Sequence, residues 1–332
     1  MKTGTDRRWP RWATVAMQIA FGAGIFAACL LLPDLSGLPG TLAAADPWWL
    51  LGALLLAIVG TVLLPSLMTR EALAIDRIGL SLVELIRINF AIRFYVLVLP
   101  RAASIGIRWL RYMKGGGAHD AMALMVYERL MQLFTMTLIG TIVLGTELDA
   151  LGDSAAGIFV AALGCTTLLA AMLIPFLWPI AAGWLAAAVG IAERIAPAFL
   201  TARARRLLDS VTAFHQLRAP ATLKILAWSL LSYLLFIGSP WAVVFAMDVD
   251  ISLPALAWIR PLVFLLTLLP LTIGGIGVRE AGFIGLLHLY GVAAGEALAF
   301  SLVLFAIQVA IGVVGMATEL KQRIAVARAA TS

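Results

Sequence analysis

Residues 268–280 read Leu268-Leu269-Pro270-Leu271-Thr272-Ile273-Gly274-Gly275-Ile276-Gly277-Val278-Arg279-Glu280. Proline removes a backbone donor and stops a helix, and the glycines supply the backbone angles that a tight turn needs. The surrounding piece, 252–292, is apolar but, with a turn between them, too short for two full crossings at about 20 residues each. A helix broken in such surroundings reads as a re-entrant hairpin. Non-helical backbone at membrane depth is tolerated only where it is buried in protein or lines a wet cavity. The stretch therefore predicts an all-α polytopic membrane fold and marks a site inside it.

The rest of the chain agrees. Of 332 residues, 62% are hydrophobic and 13% charged, with a mean hydropathy of +1.01, which excludes an ordinary water-soluble domain. Six runs are long enough to span: 12–32, 48–69, 121–145, 155–178, 223–247 and 296–318. No soluble block exceeds about 30 residues, so one transmembrane domain over 12–320 is expected, without a cytosolic catalytic domain. Cys29 and Cys165 both lie in apolar runs, and the three histidines are scattered, so no disulfide framework, metal site or cofactor is expected. The first run follows Lys2, Arg7, Arg8 and Arg11 as a secretory signal would, but its length and the lack of a small-x-small cleavage site favour a spanning helix.

Lys and Arg set the orientation. Segments 33–47, 146–154 and 248–254 carry acids and no Lys or Arg, and face outward. Arg70, Arg77, Arg111, Lys114, the arginines of 194–218, Lys224, Lys321, Arg323 and Arg328 mark the cytoplasmic side, where both termini also fall in what reads as a bacterial inner membrane. The net charge of +6 is thus topology signal plus attraction to anionic lipid, with no case for nucleic acid. Within 198–217, Leu200, Ala204, Leu207, Val211 and Phe214 repeat at helical spacing opposite Arg203, Arg205 and Arg206. This predicts an interfacial cytoplasmic helix.

The piece 78–117 is a second hairpin of the same kind, broken at Leu99-Pro100. The order is then span, span, hairpin, span, twice over and in opposite senses: an inverted-topology repeat with halves near 1–154 and 155–332. Val98-Leu99-Pro100 followed by Gly106-Ile107-Arg108 matches Leu268-Leu269-Pro270 followed by Gly277-Val278-Arg279. Proteins built this way hold substrate near the midplane on broken helices.

In the second hairpin, Pro270, Gly274, Gly275 and Gly277 form the turn. A half-helix starting near Val278 would aim its unpaired N–H groups and Arg279 at it, making an anion site beside Glu280. The competing reading is a packing turn with Arg279 paired to a structural acid. Glu128, Gln132 and Thr135 share a helical face, whereas adjacent Glu128 and Arg129 cannot pair well with each other. A network from Glu128 and Arg129 to Arg279, Glu280, Arg101 or Arg108 is expected. Asn89 and Arg93 share a face, and Arg101 follows Pro100; these could reach a head group, or the arginines could snorkel to the interface. Gln308 and Ser301 are expected to bridge helices.

On Leu269-Pro270 through Gly274-Gly275-Ile276-Gly277-Val278-Arg279-Glu280, Glu128-Arg129-Leu130 and Asn89…Leu99-Pro100…Gly106…Arg108, residues 12–320 resemble the transmembrane region of lysylphosphatidylglycerol synthase, a flippase-like family. The resemblance implies moving or presenting a lipid with a charged or glycosylated phosphate head. It does not carry over the aminoacyltransferase activity of two-domain members. Gln132 stands where the resemblance implies an acid, which argues against a cationic lysyl-lipid.

The expected function is translocation of an anionic phosphate-headed lipid, by a protein that is not an enzyme and could be a homodimer. Alternatives are a membrane anchor for an envelope-lipid biosynthesis enzyme, through 198–217, and a lipid head-group transferase. For the last, Glu280 with His288 is the available acid-base pair.

Overall fold

The computed structural model describes residues 11–31, 38–73, 79–148, 153–173, 219–269 and 271–331, with positions 183, 187 and 190. Every regular element among them is helical. Pro270 and the predicted interfacial helix at 198–217 lie outside the described residues.

Among the described residues, four helices are long and apolar enough to cross a membrane: Pro47–Leu73, Asp120–Thr146, Thr222–Met247 and Ala294–Gln322. They coincide with four of the six predicted spans, and make this a polytopic membrane protein. The first is α3, and the other three lie within α6 (Ala118–Thr146), α8 (Ala219–Met247) and α11 (Ala294–Thr331). The other two predicted spans fall on α1 (Arg11–Leu30) and α7 (Asp153–Leu173), helices of 20 and 21 residues. A short α2, Leu38–Ala44, lies between α1 and α3.

Both predicted hairpins are helix pairs, the first broken at Leu99-Pro100 and the second after Leu268. In the first, α4 (Leu82–Val98) precedes α5 (Arg101–Tyr112). Ser81 and Glu84 start α4 with a reciprocal cap: the Ser81 N–H donates to Glu84 Oε2 at 2.8 Å and the Glu84 N–H to Ser81 Oγ at 3.3 Å, satisfying two donors that a helix start leaves open. Pro100 cannot continue the ladder, so the chain turns there. The arms then run antiparallel, joined by Arg108 to Asn89 at 3.2 Å and closed by the Gly79 N–H donating to the Gly115 carbonyl at 2.8 Å. In the second hairpin, α9 (Leu253–Leu268) and α10 (Val278–His288) pair likewise. Gly282 sits against Val263 and Leu266, and the Trp258 Nε1–H donates to the Tyr290 hydroxyl at 2.8 Å.

Packing between helices depends on missing side chains. Helix α3 runs antiparallel to α8 from Asp46, whose N–H donates to the Ala246 carbonyl at 2.8 Å, to Glu71, 3.7 Å from Lys224 Nζ. They approach closely at Gly60, where a Cβ would lie 2.8 Å from Leu235 Cβ. At that crossing α3 contains one π-helical turn, Val59–Leu63. Gly312 and Gly315 of α11 admit Leu97, Phe94 and Phe90 of α4, the small-residue contact that membrane helices use in place of a hydrophobic drive. Helix α9 lies on α6 in the same manner, with Pro261 facing Gly140.

Candidate functional site

The turn between α9 and α10 is built by its glycines. Gly274, Gly275 and Gly277 have φ of +66°, +74° and +84°, a region that L side chains avoid. At Gly277 space is also short: a Cβ would lie 2.6 Å from the Gly22 carbonyl oxygen of α1 and 2.9 Å from Ile25 Cβ. Gly277→Ala should therefore lower stability by about 3 kcal/mol, from positive φ and overpacking together. Gly285→Ala, on the same helix with open space around it, should be neutral or stabilising. Thermal unfolding of both variants in detergent checks this, and equal melting temperatures would contradict it.

Arg279 and Glu280 are 3% and 0% exposed and form an ion pair with each other. The second carboxylate oxygen of Glu280 accepts the Gly277 N–H at 2.6 Å, and Ser301 Oγ lies 3.4 Å from the first. Here the structure differs from the sequence expectation. The Gly277 N–H at the start of α10 is taken by the chain's own carboxylate three residues on, as in a capping box. One guanidinium nitrogen of Arg279, Nη1, is buried without a hydrogen-bond partner.

Next to the turn lies a cavity of about 200 Å³. The tips of both hairpins line it, through Val96, Leu97, Pro100 and Arg101 from the first and Thr267, Leu269, Gly274 and Gly275 from the second. Four arginines line it as well: Arg93, Arg101, Arg260 and Arg279. No Asp or Glu is among the described lining residues. Thr61, Phe236 and Gln308 place it near mid-length of α3, α8 and α11.

Three of the arginines are positioned by the chain itself. Arg93 Nη2 donates to the Thr61 carbonyl at 2.6 Å, within the π-turn, where helix hydrogen bonding is irregular. Arg101 reaches from the first hairpin to the Thr267 carbonyl of the second. Arg260 is 8% exposed, with its guanidinium carbon 4.5 Å from the ring centre of Phe236 and 5.8 Å from that of Phe283. Its Nε is buried without a hydrogen-bond partner. Arg260 and Arg279 repel each other, as do Arg93 and Arg101. Glu280 is the one carboxylate paired with any of the four among the described residues.

The other predicted residues are elsewhere. Glu128 pairs with Arg108 at 2.9 Å and accepts from the Thr69 hydroxyl. Arg108 also reaches Asn89 and the Tyr112 hydroxyl, at 3.2 and 2.9 Å, and Asn89 Nδ2 donates to Ser66 Oγ at 2.8 Å. This closed network ties α3, the first hairpin and α6 together, away from the cavity lining. Arg129 donates to Gln132 at 2.7 Å and lies 5.1 Å from the Phe264 ring centre. It joins neither Arg279 nor Glu280. Glu280 is fully buried while His288 is exposed at the other end of α10, so the two do not form an acid-base pair.

Sequence reasoning missed Arg260 and set Gln308 aside as a helix bridge. A signal for Arg260 existed, because an arginine inside the apolar run 253–268 is a functional candidate by default.

No individually curated protein matches the sequence. The family profile described as the lysylphosphatidylglycerol synthase TM region matches residues 18–315. With nearly all of the helical core inside that match, the chain belongs to the lysylphosphatidylglycerol synthase transmembrane-region family, membrane proteins of lipid metabolism.

Proposed function

We propose that this protein translocates an anionic, phosphate-headed lipid across the bacterial inner membrane, without chemical change to the lipid. The observation that carries the reading is the cavity where both hairpin tips meet, lined by four arginines and, among described residues, by no carboxylate. Holding that much positive charge at membrane depth, with Arg260 and Arg279 buried and Arg93 and Arg101 half-buried, costs several kcal/mol unless it is compensated, and a lipid phosphate compensates it. The apolar lining from Leu97, Leu269, Leu304 and Ile307 suits the start of an acyl chain whose remainder stays in the bilayer.

In this proposal the chain has six spans, two re-entrant hairpins and cytoplasmic termini, arranged as an inverted repeat. Support comes from the exchange of partners: α4 of the first hairpin lies on α11, and α9 of the second lies on α6. Each hairpin also contacts an acid on the closing helix of the other half or at its C-cap. Tyr95 and Arg111 meet Glu319, and Tyr290 donates to Glu147 at 3.0 Å. Rocking one half against the other would release these contacts in turn and expose the cavity alternately to the two sides.

The test is a flip assay in proteoliposomes with head-labelled phosphatidylglycerol or phosphatidate and a membrane-impermeant quencher. The expected result is protein-dependent access to inner-leaflet label, with the lipids recovered at unaltered mass. Label movement equal to protein-free vesicles would overturn transport, and a new lipid product would favour the transferase.

A further inference from the structure

We infer that the cavity selects lipid phosphates carrying two or more negative charges, phosphomonoesters or diphosphates, over phosphodiester lipids. This rests on the translocation reading and narrows its substrate class. The charge balance carries it. Of the four lining guanidiniums, one is neutralised by Glu280, which leaves three cations without a carboxylate partner among the described residues. Arg93 and Arg101 spend donors on the Thr61 and Thr267 carbonyls, contacts that fix their position and leave their charge intact. Arg260 has aromatic rings for neighbours, and both its Nε and Arg279 Nη1 are buried without a hydrogen-bond partner.

A phosphodiester brings one negative charge to this set and a phosphomonoester two at neutral pH. In a poorly screened interior the second charge interacts with every nearby cation. The added terminal oxygen also gives the planar guanidinium groups another acceptor, and a charge-assisted bond is about twice as strong as a neutral one. A head group bearing an ammonium finds no acid on the cavity wall among the described residues.

The experiment measures binding to the full chain in detergent, with dihexanoyl-phosphatidate as monoester, dihexanoyl-phosphatidylglycerol as diester, and inorganic phosphate as the lipid-free control. A monoester gains its second charge near pH 6, so its affinity should rise ~10-fold between about pH 5 and about pH 7.5. That of the diester should stay flat. Phosphatidate should bind ~10-fold more tightly than phosphatidylglycerol at the higher pH, a single added charge contributing on the order of 1.4 kcal/mol. Inorganic phosphate should bind far more weakly than phosphatidate.

Both lipids should be lost from Arg260→Gln, with Arg101→Gln as the second variant if the first does not fold. Equal affinity of the two lipids with flat pH profiles, both still lost in the variants, would overturn the charge selection and leave translocation of an anionic lipid standing. Binding indifferent to both arginines would overturn the two together. Inorganic phosphate binding as tightly as phosphatidate would show a free anion rather than a lipid to be the ligand.

Discussion

Arg260→Gln should abolish lipid translocation in proteoliposomes while the purified protein remains folded. Arg260 lies on α9 and lines the cavity, and no carboxylate depends on it for charge balance among the described residues. Its removal lessens repulsion with Arg279 rather than stranding an acid, so stability should hold or rise. Glutamine keeps donors and some bulk between Phe236 and Phe283, limiting the packing loss. Breaking one charged partner of a buried phosphate contact costs about 3 kcal/mol, or roughly 100-fold in affinity. The expected readout is an unchanged elution volume and an equal or higher melting temperature, with transport at the protein-free level. Arg260→Lys should recover only part of the rate, since a point charge on a flexible stem lacks the planar donor fork. Wild-type transport by Arg260→Gln would mean that the cavity is not on the lipid's route.

This makes Arg260 a cleaner probe than Arg279, the residue to which the sequence points first. What could be read in advance depended on periodicity and punctuation. Long apolar runs located α3, α6, α8 and α11, and Leu-Pro followed by Gly-x-Arg located both broken hairpins. The partners of buried charges were not readable, because they depend on which elements meet. Glu128 was rightly sought by Arg108, yet that pair closes a network with Thr69 and Asn89 instead of opening onto the cavity. Glu280 follows Arg279 directly, and adjacent residues on a regular helix do not face each other. At a helix start, however, the Glu280 side chain folds back to Gly277 and can meet the guanidinium of Arg279 there. Arg260 escaped notice because it sits ten residues before the glycine-turn motif in an apolar run, where Pro261 beside it lies inside the helix and does not end it, and only the folded chain brings it to the cavity beside the glycine turn.

Glu280→Ala should be the most damaging single substitution at the site. It removes the acceptor of the Gly277 N–H and the counter-charge of Arg279, which is 3% exposed. Removing one partner of a buried ion pair typically costs about 3–5 kcal/mol, and loss of the cap adds about 1 kcal/mol. For a domain with a few kcal/mol to spare, that is enough to prevent accumulation of folded protein. Arg279→Ala should fail for the mirror-image reason, leaving Glu280 charged and fully buried. If the pair is mainly structural, a double variant that removes both charges and keeps shape and cap should fold. Arg279→Met with Glu280→Gln meets those conditions, since the side-chain oxygen of the introduced glutamine can still accept the Gly277 N–H. Replacing a buried pair by neutral groups of similar volume is often neutral or stabilising. The double variant should therefore run as a single peak by size exclusion and melt near the wild-type temperature, where each single variant aggregates. Its phosphatidate affinity then reports what Arg279 contributes to the lipid. Arg279 lines the cavity and its Nη1 has no hydrogen-bond partner, so that contribution should be a loss of about 10-fold, smaller than for Arg260 because Glu280 has already taken much of the Arg279 charge. A double variant that still fails to fold would assign the turn's stability to features beyond charge balance, and one that folds and binds phosphatidate at wild-type affinity would remove Arg279 from the lipid site.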